Sequence, residues 1–146
     1  MLPFCGRPLI EYSLEHCLAL DPSEIVIVVG YLAEQITQHY GESYGGVPIR
    51  YVQQAERRGL VHAVDTARTA LDGEPFMLFL ADEILLAPRH REMVDVFVDS
   101  DAIALCGITV PADPAHISKT YTIREDHDGR VLQLIEKPRE PLSRFQ

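Results

Sequence analysis

Short apolar runs rich in β-branched residues alternate along this chain with longer segments of helical periodicity. Residues 24–29 form an almost continuous apolar run, which is typical of a strand covered on both faces, as in a parallel sheet. Residues 75–80 and 102–110 have the same character, whereas residues 49–53 alternate between apolar and polar side chains. We therefore predict a strand over each of these runs.

The last two predicted strands lie close together in the sequence. Residues 120–124 and 131–135 alternate in polarity, and the segment Asp-His-Asp-Gly at 126–129 separates them. Because an Asp-Gly pair between alternating runs is a strong signal for a tight turn, we predict an antiparallel hairpin.

The segments between the other strands carry apolar residues with a period close to 3.6. In residues 9–20 this stripe includes Leu14 and Cys17, Pro8 suits the first turn, and the Asp-Pro pair at 21–22 ends the helix. Further helices are predicted over 32–40, 59–71 and 89–100. Strands that alternate with helices predict βαβ units, and hence an α/β fold: a three-layer α/β/α sandwich around a mostly parallel sheet.

Composition and charge narrow the classes of partner. The formal net charge is -9, which makes the chain a poor general binder of nucleic acid, because the phosphate backbone attracts positive charge. No apolar run approaches the length that spans a membrane. Cys5, Cys17 and Cys106 show neither a disulfide framework nor metal-ligand spacing. We expect a cytoplasmic protein that binds neither nucleic acid nor membrane.

Polar side chains follow several of the predicted strands. In open α/β sheets, ligands bind outside the carboxyl ends of the strands. A glutamine, carboxylates, a lysine and small residues occupy these positions, a set that suits a nucleotide or sugar phosphate with a divalent cation. P-loop, dinucleotide-binding and nucleophile-elbow motifs are absent from the sequence, which argues against P-loop NTPases, Rossmann dehydrogenases and serine hydrolases.

Asp82 and the pair Glu136-Lys137 are the charged candidates. A carboxylate at the end of a buried strand can hold Mg²⁺ against phosphate oxygens, but such an aspartate can equally cap the next turn. Glu136 is able to accept sugar hydroxyls and Lys137 to neutralise a phosphate, since Pro138 ends the strand beside them. A solvated surface ion pair is the alternative for these two residues.

Gln54 and the Gly59-Leu60 pair flank a loop that enters a helix. A glutamine amide has both a donor and an acceptor, so it can recognise the edge of a pyrimidine base. A glycine lets the backbone approach a ring closely. The alternative is a plain helix entry after a flexible loop.

Five stretches, taken in order along the chain, match the motifs of one family. They are LPFCGRPLIEY at 2–12, EIVIVVGY at 24–31, Gln54 with GLVHA at 59–63, LAD at 80–82, and GRV at 129–131 with EKP at 136–138. The chain resembles the sugar-nucleotide nucleotidyltransferases, which include sugar-1-phosphate thymidylyltransferases and uridylyltransferases. The similarity covers nearly the whole chain.

The resemblance implies a Rossmann-like nucleotide-diphospho-sugar transferase fold and a reaction. In this reaction dTTP or UTP and a glucose-type sugar-1-phosphate give an NDP-sugar and pyrophosphate, with Mg²⁺ as cofactor and no nucleic acid or membrane as partner. The family often forms homo-oligomers, and we expect one here. The roles carried over from the family divide between the two substrates and the metal. Gln54, Gly59 and Leu60 would contact the base, and Glu136 would bind the sugar. Asp82 would bind the metal and Lys137 the sugar phosphate, and both would act in catalysis.

The resemblance also has departures. The family's Gly-rich loop LAGGxGTRL and its lysine would precede this chain, and a second metal-binding aspartate would follow it. Thr122 stands where the family often has a glycine, and we expect it to contact the sugar or alter its choice. We therefore expect residues 1–146 to form one incomplete domain. Two alternatives remain: a non-catalytic nucleotide-sugar-binding or regulatory module, and a fragment that is inactive without the missing loop.

Overall fold

The computed structural model of the chain describes residues 2–108, 113–140 and 143. These residues group into two compact units, of which the first ends at Glu92 and the second begins at Met93. The expectation of one domain over residues 1–146 stays a prediction.

The first unit contains most of the regular structure. Its elements in chain order are β1 (Pro3–Phe4), β2 (Arg7–Pro8), α1 (Ile10–Leu18), β3 (Ile25–Val29), α2 (Ala33–Tyr40), β4 (Ser43–Tyr44), β5 (Val47–Gln53), α3 (Leu60–Thr66) and α4 (Arg68–Leu71). Helix α5 (His90–Val98) begins in this unit. The predicted helices over 9–20, 32–40 and 89–100 are confirmed, with no end displaced by more than two residues.

A mixed sheet with the order β3-β5-β4 forms the centre of the first unit. Strands β3 and β5 pair in parallel, from Ile25 opposite Ile49 to Val29 opposite Gln53, and α2 lies between them in the sequence. This βαβ unit confirms the predicted alternation. Strand β4 pairs antiparallel with β5 through the turn Gly45-Gly46, where both φ angles are positive (57° and 86°), a conformation that favours glycine.

The core of the first unit is built on β3. Ile25, Ile27 and Val29 are buried, and with Leu14 of α1 and Tyr40 of α2 they form one hydrophobic cluster. Burial raises the pKa of the Tyr40 hydroxyl well above its ordinary value, with a smaller contribution from the Glu11 carboxylate. The apolar run at 24–29 thus corresponds to a strand with one buried face, whereas the other face, which carries Val26 and Val28, is only partly buried.

Three predictions of regular structure differ from the structure. Residues 75–80 form no strand in the described part of the chain, because no described strand supplies the ladder of hydrogen bonds that a strand needs. Phe76 and Leu78 remain half exposed. Residues 102–108 are likewise not a strand, and residues 109–110 lie outside the described residues. The predicted helix over 59–71 is divided at Ala67 into α3 and α4.

The second unit contains a 3₁₀ helix over Pro114–Lys119 and a hairpin of β6 (Tyr121–Glu125) and β7 (Val131–Glu136). The two strands pair antiparallel from Tyr121 opposite Glu136 to Glu125 opposite Val131, which confirms the predicted hairpin. In its turn the Asp126 carboxylate accepts from the backbone N–H groups of Asp128 and Arg130, both at 2.9 Å. An aspartate that bonds to the backbone ahead of it stabilises such a turn.

Candidate functional site

Gln54 lies where the carboxyl ends of the two parallel strands meet. Its backbone N–H donates to the Val29 carbonyl oxygen at 2.7 Å, which extends the β3/β5 ladder by one residue. This is the edge at which open α/β sheets bind ligands. A small cavity of about 380 Å³ opens here, lined by residues such as Gly30, Gln35 and Gln53.

The Gln54 side chain is held by residues at the start of α3. Its Nε2 atom lies 3.3 Å from the Gly59 carbonyl oxygen and 2.9 Å from Nδ1 of His62. Gly59 has φ 92°, a conformation that L side chains rarely adopt, and Leu60 is the first residue of the helix. The structure therefore brings together Gln54 and Gly59, two of the residues predicted from the sequence, and adds His62 to them.

An open apolar groove of about 870 Å³ lies beside this cluster. Leu60 and Leu71 line one side of it through α3 and α4, and Phe76 and Leu78 line it from the segment that follows. Arg58 and Arg68 are the cationic residues of the lining. Leu60, expected to contact a base, is thus a half-exposed wall of the groove.

Asp82 is exposed in the turn after residues 75–80. Within the described residues its carboxylate forms no hydrogen bond or ion pair, with Gln54 or with any other group. The segment before it is anchored, because the Ser13 hydroxyl donates to the Leu80 carbonyl oxygen at 2.8 Å. Both carboxylate oxygens of Asp82 are therefore free of hydrogen bonds and ion pairs to the described residues, and the turn that carries them is anchored to α1.

The other predicted site residues lie in the second unit. Glu136 ends β7, and the Lys137 ammonium lies 3.3 Å from its carboxylate, with both side chains more than half exposed. Lys137 has φ 46°, a strained angle for a lysine, and its N–H donates to the Thr120 carbonyl oxygen at 2.7 Å. The ion pair named as an alternative is thus present, which is compatible with either role.

Thr122 occupies a different environment from the other predicted residues. Its side chain is fully buried in β6, opposite Ile135 of β7, and its Oγ1 accepts from the Ser143 backbone N–H at 3.2 Å. Its expected effect on the sugar stays a prediction, and any such effect would act through the packing of the hairpin.

One group of potential metal ligands has a different explanation. Asp126, His127 and Asp128 place one ligand atom each within 4.8 Å of one another. The Asp126 carboxylate is already used by the backbone of its own turn. Asp82 fits a magnesium ion better, because Mg²⁺ is usually held by one or two carboxylates together with substrate phosphates and water.

A family model described as nucleotidyl transferase matches residues 1–146. The chain belongs to the nucleotidyl transferase family. It is 35% identical to the UTP–glucose-1-phosphate uridylyltransferase AglF of Haloferax volcanii, over 98% of this chain and 58% of that relative. It is 30% identical to a glucose-1-phosphate thymidylyltransferase of Streptomyces antibioticus, over 98% of this chain and 40% of that relative. The family resemblance of the motifs is thereby confirmed.

The fold is confirmed by a solved structure. A UDP-glucose pyrophosphorylase, crystallised in complex with UDP-glucose, matches 99% of this chain and 63% of its own with a TM-score of 0.83 at 24% identity. The chain thus spans less than two thirds of the length of each of these relatives. Among the described residues, no helix is both long and apolar enough to cross a membrane.

His62 is the residue of this site that sequence reasoning missed. The sequence shows six scattered histidines, and none has the spacing of a metal or catalytic motif. The signal was nevertheless present, because His62 belongs to the GLVHA stretch at 59–63 that carries part of the family resemblance. Only the geometry of the Gly59 turn reveals that its ring reaches the Gln54 amide.

Proposed function

We propose that this chain contributes part of the active site of a nucleotidyltransferase. The enzyme transfers a nucleotidyl group from dTTP or UTP to a glucose-type sugar-1-phosphate and releases pyrophosphate. The family match and the names of the relatives support this reaction class. The observation that carries the proposal is the Gln54 amide, held at the carboxyl ends of the parallel strands by Gly59 and His62.

The chemistry is an in-line substitution at phosphorus. A phosphate oxygen of the sugar-1-phosphate attacks the α-phosphorus of the nucleotide, and the bond from that phosphorus to the bridging oxygen of the pyrophosphate breaks. Negative charge builds up on the transferring group, so preorganised cationic groups lower the barrier. The side chains of this chain act by binding and orienting the two substrates.

Each predicted residue has a part in this scheme. Gln54, Gly59 and Leu60 contact the base, Glu136 accepts hydrogen bonds from sugar hydroxyls, and Lys137 neutralises the sugar phosphate. The ion pair between Glu136 and Lys137 is exposed, and exposed pairs contribute little. A substrate can therefore replace it without a large penalty.

Asp82 is the residue that we assign to the metal. Its carboxylate is exposed and makes no hydrogen bond to the described residues, so both oxygens are available to an ion. Mg²⁺, when bound with the nucleotide, supplies charge neutralisation at the phosphates. We also propose that the protein is a cytoplasmic homo-oligomer. The three cysteines are free thiols, which supports a cytoplasmic location. The family resemblance supports the homo-oligomer.

The direct test is product formation. The chain is incubated with Mg²⁺, glucose-1-phosphate and either UTP or dTTP, and the nucleotide sugar and pyrophosphate are quantified by chromatography. A parallel measurement records the melting temperature with UDP-glucose, dTDP-glucose or Mg²⁺, since a ligand that binds only the folded state raises it by mass action. Turnover supports the proposal, whereas a ligand shift without turnover favours the non-catalytic binding module. The absence of both turnover and a shift contradicts the proposal and favours the inactive fragment.

A further inference from the structure

The Gln54 side-chain amide has both of its N–H groups engaged by protein acceptors. One faces the Gly59 carbonyl oxygen, with 3.3 Å between Nε2 and that oxygen. The other faces Nδ1 of His62 at 2.9 Å. A primary amide has two N–H donors, so the nitrogen end of this side chain is fully used.

The Gly59 contact shows which way the amide is turned. A backbone carbonyl can only accept a hydrogen bond, so the atom of Gln54 that faces it must be the nitrogen. Nδ1 of His62 then meets an N–H donor, and it must be the unprotonated nitrogen of the ring. The His62 proton therefore sits on Nε2.

This arrangement leaves the Gln54 oxygen as the group that is open to a ligand. Within the described residues Oε1 has no hydrogen-bond partner. We propose that His62 is a specificity-determining residue, which holds the Gln54 amide so that Oε1 accepts from the N3–H of a uracil or thymine base. This inference rests on the proposed function, and it adds the residue that selects the base.

The chemistry of the bases determines which of them the Gln54 oxygen prefers. Uracil and thymine carry a hydrogen on N3, which an amide oxygen can accept. Cytosine has a bare acceptor nitrogen at N3, so two acceptors would face each other there. A site built to accept a hydrogen bond disfavours a ligand that cannot donate it. Without His62 the amide has one fixed partner fewer, and it can rotate to offer its N–H group to cytosine instead.

The position of His62 suits a positioning role. It lies in the first turn of α3, whose start is set by Gly59, and its backbone carbonyl oxygen accepts from the Thr66 hydroxyl at 2.6 Å. Its side chain is partly buried, which limits competition from water for the bond to Gln54. Both partners of Gln54 therefore belong to one helix entry.

A matched pair of ligands and a matched pair of variants test the inference. UDP-glucose and CDP-glucose differ only in the base, so the ratio of their dissociation constants isolates base recognition. His62→Leu removes the acceptor and keeps a side chain of similar bulk. His62→Asn keeps an acceptor oxygen close to the position of Nδ1. Calorimetry on the full chain gives the constants, and urea unfolding shows whether each variant is folded.

We expect the wild type to prefer UDP-glucose, and His62→Leu to lower that preference about tenfold, the effect of losing one well-placed hydrogen bond. His62→Asn should restore the preference to within about threefold. An equal loss of affinity for both ligands in His62→Leu, or an unchanged ratio, would show that His62 does not orient the amide. Such a result would leave the proposed function intact.

A failure of the proposed function has a different signature. If the wild type binds neither nucleotide sugar, the proposed function and the base-selection role are both contradicted. The tautomer is tested without any ligand by long-range ¹H–¹⁵N NMR of the His62 ring. A proton on Nε2 supports the inference, and a neutral ring protonated on Nδ1 overturns it.

Discussion

The Ser13 hydroxyl of α1 donates a hydrogen bond to the Leu80 carbonyl oxygen at 2.8 Å. Ser13 is buried, and Leu80 stands two residues before Asp82. The turn that carries the proposed metal ligand is thus fixed to a core helix. Residues 75–80 have no strand pairing within the described part of the chain, so this bond has a large share in holding the segment in place.

Replacement of Ser13 by alanine should therefore destabilise the protein. We expect Ser13→Ala to lower the free energy of unfolding by about 1 kcal/mol, because the bond is lost and the Leu80 carbonyl oxygen loses its strongest partner. Urea denaturation measures the change. Ser23 is exposed, and Ser23→Ala should stay within about 0.5 kcal/mol of the wild type. Equal effects of the two substitutions would contradict a structural role for the Ser13 bond.

Lys137 gives a prediction about catalysis. In the proposed reaction it neutralises the sugar phosphate, so Lys137→Ala in the active protein should lower kcat/KM for the sugar-1-phosphate by about 100-fold. The chain has one other lysine, Lys119, which is also exposed. Lys119→Ala is therefore a matched control and should leave turnover unchanged. Unchanged turnover in Lys137→Ala would remove this residue from the site and leave it as one half of a surface ion pair.

The β3/β5 unit could be predicted from the sequence because its patterns are local. The apolar run at 24–29 and the alternating run at 49–53 each carry enough information to identify a strand, and α2 between them sets a parallel connection. The same holds for the hairpin around Asp126, where turn chemistry and alternation agree. The Gly45-Gly46 hairpin is not among the predicted elements, although a Gly-Gly pair is itself a turn signal.

The rest depends on partners that a local pattern cannot reveal. Residues 75–80 have the composition of a buried strand, yet a strand exists only where a neighbour supplies its hydrogen bonds. In the site, Gln54 and Gly59 were identified through their chemistry and the family motif. The link from Gln54 to His62 was not, because it depends on the backbone turn at Gly59.

The three thiols should differ in reactivity. Cys5 and Cys106 are exposed, whereas Cys17 of α1 is partly buried, and burial raises the pKa of its thiol. Because the thiolate is the nucleophile, we expect Cys17 to react with a disulfide reagent at pH 8 at least about tenfold more slowly than the other two. Cys17→Ser should remove only the slow phase, and in urea all three thiols should react alike. Three equal rates in the folded protein would contradict the packing of α1.

His90, the first residue of α5, should make stability depend on pH. Its ring lies 5.0 Å from the Phe79 ring and 5.3 Å from the His16 ring, centroid to centroid. Burial lowers the pKa of His90 below its ordinary value of 6.5, and the neighbouring His16 lowers it further. The unfolded chain therefore binds a proton more readily than the folded chain between that lowered pKa and 6.5. Across this window the free energy of unfolding rises with pH and falls on acidification.

The expected result is a loss of stability between pH 7.5 and pH 5.5 that is smaller in His90→Asn than in the wild type. Urea unfolding at the two pH values measures it. His127 is the matched control, because its side chain is 88% exposed and its ion pair with Asp128 is an exposed one, which contributes little to stability. His127→Asn should therefore behave as the wild type at both pH values. If His90→Asn loses as much stability on acidification as the wild type, the His90 ring is not desolvated in the folded protein. The contact of the His90 ring with Phe79 and His16 would then have to be revised.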